Sequence, residues 1–105
     1  MALATALSNV AGVLIRLERW DEVDAAIEAG LQADGRHGML HLLRAQRLLG
    51  RGLQTDALKA LQRFLDDRRI LGREKTLLFF TQDPHFDVMR QDPQFQRLLL
   101  RAAAA

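Results

Sequence analysis

The sequence predicts an all-α fold of antiparallel helical hairpins, and three observations carry that prediction. Apolar residues recur at intervals of three and four along nearly the whole chain. No segment alternates with a period of two, so no strand is expected. Shifted by 34 residues, the chain matches itself in both its apolar pattern and its helix boundaries.

The elements follow in order. The first helix spans about Leu3–Leu17, and its apolar run ends in the charged cluster that begins at Arg16. The second spans Trp20–Ala33, where Val23, Ala26, Ile27, Gly30 and Leu31 fall on one face. "DGRHG" at Asp34–Gly38 is a turn, because its glycines accept backbone angles that other residues resist. The third helix covers about Met39–Leu49 and is broken by "GRG" at Gly50–Gly52. The fourth follows to about Asp67, with Ala57, Leu58, Leu61, Phe64 and Leu65 on one face. A fifth is expected near Arg73–Gln82. Two Asp-Pro pairs then place a short helical turn near Pro84–Arg90 and a last helix from Pro93 onward. In each pair the aspartate suits a cap and the proline the first turn. The closing "AAAA" is helix-compatible and expected to fray.

The self-match is specific. Ala11 meets Ala45, Leu14 meets Leu48 and Ile15 meets Leu49; Val23 meets Ala57, Ala26 meets Ala60, Ile27 meets Leu61 and Leu31 meets Leu65. A period of 34 with two helices per unit resembles the tetratricopeptide repeat (TPR). The family's large–small pair falls on Val10-Ala11 and Arg44-Ala45, and its next large position on Leu14 and Leu48. The small residue of its second helix falls on Val23 and Ala57, followed by Ile27 and Leu61. Its turn glycine is matched by Gly52 and replaced by Glu18. Arg44 and Phe64 depart from the usual residue types, and Gly35 and Arg69 stand where a closing proline is usual.

The resemblance implies a single domain over residues 1–105, a short right-handed solenoid with units of about 4–37 and 38–71. A capping segment of about 72–102 would close it. "DPHFDVMRQDPQFQRLL", Asp83–Leu99, resembles a phrase that closes bacterial TPR arrays, and Phe86, Met89, Phe95, Leu98 and Leu99 would cover the exposed end of the stack. A plain bundle of four or five helices whose halves happen to match is the alternative.

Composition narrows the function. The chain has no cysteine, which excludes disulfides, thiol catalysis and thiolate metal sites and suits a reducing compartment. The N-terminal apolar run lacks a basic start and a cleavage site, and it is too short to span a bilayer. A cytoplasmic protein with no membrane partner is therefore expected. Charge is uneven: residues 1–34 carry two basic and six acidic side chains, and residues 35–76 carry ten basic and four acidic ones.

No reaction chemistry is evident, so an enzyme is not expected. Ser8 is the only serine, and no phosphate-binding loop appears. His37 and His41 share a helical spacing but lack a third ligand, so no metal and no cofactor are expected. Asp66-Asp67 beside Arg68-Arg69 reads as a solvated helix end, and Trp20 as a packing residue.

The function expected from the resemblance is protein–protein interaction, as an adaptor, scaffold or chaperone-like holder. TPR arrays bind through a surface lined by the first helix of each unit. Here that implies an apolar groove of Met39, Leu42, Leu43, Gln46, Arg73, Leu77 and Phe80, suited to a protein or peptide partner such as an amphipathic helix. Two alternatives occupy the same groove: the chain's own C-terminal helices, or a second copy as a homodimer. A further alternative is an acidic partner or nucleic acid on the Arg-rich face of Arg44, Arg47, Arg51, Arg63, Arg68 and Arg69, with nucleic acid the less favoured.

Overall fold

The computed structural model describes residues 2–70, 72, 75–77 and 81–104. Among them there is no strand. The helices are α1 (Ala2–Arg16), α2 (Trp20–Ala33), α3 (Gly38–Gly50), α4 (Gln54–Asp66), a 3-10 helix (Pro84–Met89) and α5 (Pro93–Ala104). Residues 75–77 are also helical, whereas Thr81 and Gln82 form a turn, so the helix expected to reach Gln82 stops before it. Arg73 and the stretch 78–80 lie outside the described residues. Helix α5 runs on to Ala104, and Ala102 is buried.

The 34-residue self-match reappears as backbone geometry. At the end of α1, Glu18 adopts φ 58°, and at the end of α3 Gly52 adopts φ 77°. The amide of Arg19 donates to the Leu14 carbonyl at 3.1 Å and that of Leu53 to Leu48 at 2.9 Å, each closing the loop that ends a helix in a left-handed residue. Val23 then donates to Arg19 and Ala57 to Leu53, each at 3.0 Å, starting the next helix identically. Glycine occupies this position in one copy at no steric cost. Glutamate occupies it in the other at a cost of about 1 kcal/mol.

Each short connection folds a helix back on its predecessor, giving the hairpins α1/α2 and α3/α4, and α3 also packs on α1 and α2. The 3-10 helix lies on α3, and α5 on α4. Two apolar clusters result. The first joins α1 and α2 to Leu40 of α3 around Ala11, Val23 and Ile27. The second lies between α3, α4 and the C-terminal segment. There Phe86 and Phe95 stack with ring centroids 6.1 Å apart, and Met89, Leu98 and Ala102 are buried beside them.

Small residues permit the close approaches. A Cβ on Gly30 would sit 2.6 Å from a Leu40 methyl. A Cβ on Gly38 would collide with Ile70 and lie 2.9 Å from the Asp67 Cβ. Asp92 caps α5 as expected, accepting the Gln94 amide at 2.8 Å.

Candidate functional site

Two residues of the groove expected from the sequence are internal. Leu42 and Leu77 are fully buried in the second apolar cluster, together with Phe86 and Met89. Once the C-terminal segment has folded back, neither side chain can reach a partner. Gln46 is half-buried and donates to the Asp83 carboxylate at 3.3 Å. Leu43 is half-buried against the first cluster, and Met39 alone of the described groove residues is exposed. Arg73 and Phe80 lie outside the described residues.

The arginine face divides in two. Arg47 donates to Asp24 at 3.0 Å through Nε and lies over the Trp20 ring, 5.0 Å from its centroid. Trp20, expected to be a packing residue, keeps about a third of its surface exposed. Arg69 bridges two carboxylates, Asp67 at 2.8 Å and Asp34 at 2.9 Å. Arg44, Arg51, Arg63 and Arg68 are exposed and have no ion pair among the described residues.

The Asp34–Arg69–Asp67 bridge corrects the reading of Asp67 as a solvated helix end. Asp66 does point outward, pairing with Arg101 at 2.7 Å. Asp67 is buried, and its carboxylate accepts the Gly38 amide at 2.7 Å, the first residue of α3. Burial alone would raise its pKa. The Arg69 guanidinium and the Gly38 and Arg69 amides outweigh burial and hold it at about 2. Arg69 is held above its ordinary value by Asp67 and then Asp34. Asp34 in turn is lowered by Arg69 and by the Arg36 amide. This triad ties the α2–α3 turn to the chain leaving α4.

His37 and His41 serve structure as well. His37 Nδ1 accepts the Leu40 amide at 3.4 Å and its Nε2 meets the Thr5 hydroxyl at 3.4 Å. His41 is buried, and its Nε2 donates to the Gly35 carbonyl at 2.9 Å. Burial lowers its pKa, and Arg63 and Arg44 lower it further. Among the described residues no group of three or more His, Asp or Glu is placed to hold a metal, and no helix is long and apolar enough to cross a membrane.

Among the described residues two open surfaces stand out. The first is the outer face of α1, where Leu3, Val10, Val13 and Leu17 are between 46% and 61% exposed. With Ala6 they form a stripe at intervals of three, four, three and four that ends at Leu17, just past α1, and runs beside the inward-facing Ala4, Leu7, Ala11 and Leu14, about 100° round the helix. The sequence reading passed over this stripe. Its signal was present: α1 carries no charged residue before Arg16, and its apolar arc extends past the buried face to this stripe, leaving only Thr5, Ser8 and Asn9 as polar positions before Arg16. The second is a cleft of about 340 Å3 between α2, α3 and α4, lined by Leu31, His41, Arg44, Asp56, Lys59, Ala60 and Arg63. Comparison with family models, with curated proteins and with solved structures gave no match to this chain.

Proposed function

We propose that the protein is a helical-repeat interaction module of the TPR-like kind, an adaptor or scaffold that docks a partner helix on the outer face of α1. The observation that carries this reading is the asymmetry between the two ends of the stack. At one end α5 buries Phe95, Leu98 and Ala102 against the helices before it. At the other, α1 leaves an apolar stripe uncovered. Its four large side chains are each about half exposed and adjacent, and a contiguous apolar patch of that kind is where a helical partner gains most by docking. The 3-4 spacing suits a helix that buries its own apolar face along α1. The recurrent backbone geometry of the two hairpins supports the TPR-like comparison.

The test is affinity capture with wild type and a Val10→Glu, Val13→Glu variant in parallel. Both positions face solvent, so the variant keeps its helical circular dichroism. A partner held by wild type and lost from the variant supports the reading. Equal capture by both refutes it. Sedimentation equilibrium of the chain alone shows whether a second copy is the occupant.

A further inference from the structure

We propose that the cleft between α2, α3 and α4 binds an acidic peptide segment of a partner protein, with its carboxylates held by Arg44, Lys59 and Arg63. This surface is separate from the α1 stripe. Three cations and one carboxylate, Asp56, line the cleft beside a buried histidine. None of the three cations has an ion pair among the described residues. Cationic side chains converging on a concavity without internal neutralisation attract an anion more strongly than the same charges dispersed on a convex face. His41 reports the same field from beneath, since Arg63 and Arg44 both disfavour its protonation.

The spacing fits an extended chain. Lys59 and Arg63 are one helical turn apart on α4, about 6 Å along its axis. Alternate residues of an extended peptide are about 6.7 Å apart, so carboxylates two positions apart reach both cations at once. Leu31 and Ala60 give the cleft an apolar component against which the methylene stems of those acidic side chains pack, while the residue between them faces away. The run of positive charge continues on both sides. A neighbouring cleft of about 220 Å3 shares Arg63 and adds Arg36, and another of about 210 Å3 shares Arg44 and adds Arg51.

A protein segment fits better than a nucleic acid. Asp56, Glu28 and Asp66 interrupt the cationic run and would oppose a continuous phosphate backbone, whereas a peptide can place uncharged residues against them. Among the described residues no Phe, Tyr or Trp lines any of the three clefts, and the one ring present, that of His41, is buried, so no exposed stacking platform lies there.

The experiment is fluorescence anisotropy at moderate salt with three probes. They are a labelled peptide of repeated Glu-Leu dipeptides, its Gln-for-Glu counterpart, and a single-stranded DNA oligomer of matched charge. The Glu peptide should bind saturably and the Gln peptide should not. An Arg44→Gln, Arg63→Gln variant should bind at least about tenfold more weakly, and Lys59→Gln alone should weaken binding by a smaller factor. The Val10→Glu, Val13→Glu variant should bind the Glu peptide as wild type does, which separates this proposal from the α1 surface. The His41 ring resonances should shift on binding to wild type. The proposal is overturned by failure of the Glu peptide to bind, by equal affinity for the Arg44→Gln, Arg63→Gln variant, or by tighter binding of the DNA than of the peptide.

Discussion

Replacing Asp67 with asparagine should destabilise the fold at neutral pH, and the cost should vanish in acid. The carboxylate accepts four bonds: the Gly38 amide at 2.7 Å, the Arg69 amide at 3.0 Å and the Arg69 side chain at 2.8 and 3.2 Å. Its pKa falls from 3.8 to about 2 on folding. A shift of that size corresponds to roughly 2.5 kcal/mol of stability carried by the ionised form. Asparagine keeps the shape and one acceptor oxygen but loses the charge and turns an NH2 toward Arg69. The sign follows from the depressed pKa. The contribution is complete above the unfolded value and is lost as pH falls through about 2. Urea unfolding at neutral pH should therefore show Asp67→Asn less stable by about 2–3 kcal/mol, with Tm lower by roughly 10–20 °C. The gap should narrow progressively below pH 4. A variant as stable as wild type at neutral pH, or a gap unchanged at pH 2.5, would refute the bridge as a stabilising element.

Two further outcomes can be checked on the same chain. Glu18→Gly should raise stability by about 1 kcal/mol, because Glu18 holds φ 58° where its repeat-mate is Gly52; urea midpoints decide it, and an unchanged or lowered midpoint counts against left-handed strain at this turn. His41 has a lowered folded pKa, so the unfolded chain binds its proton first and stability should decline as pH falls below 6.5; His41→Gln should flatten that part of the profile in thermal melts at a series of pH values.

Much of the fold was legible because its cause is local. Periodicity in Val23, Ala26, Ile27 and Gly30 places α2's buried face whatever lies against it, and all four are buried. The helix boundaries at Arg51–Leu53 and Asp92-Pro93 follow from turn and capping chemistry that needs no tertiary partner. Even the replacement of glycine by Glu18 was visible as a departure from the repeat, although only the backbone angle shows that the departure is strained.

The site was less legible, for a physical reason: periodicity says which residues share a face, not what covers it. In the sequence Leu42 and Leu77 read as an open apolar face, whereas Phe86 and Met89 pack in one cluster with them. Arg47 and Arg69 look like their exposed neighbours in the sequence. They are distinguished by carboxylates far along the chain, Asp24 23 residues from Arg47 and Asp34 35 residues from Arg69, that pair with them. Asp67 is adjacent to Asp66, yet one lies beneath the α2–α3 turn and the other in solvent. By itself the sequence determined the helices, their order and their inward faces, because those depend on neighbours three and four positions apart. Only the tertiary structure decided which apolar face stays open and which cations stay unpaired, because both depend on where the chain's distant segments come to rest.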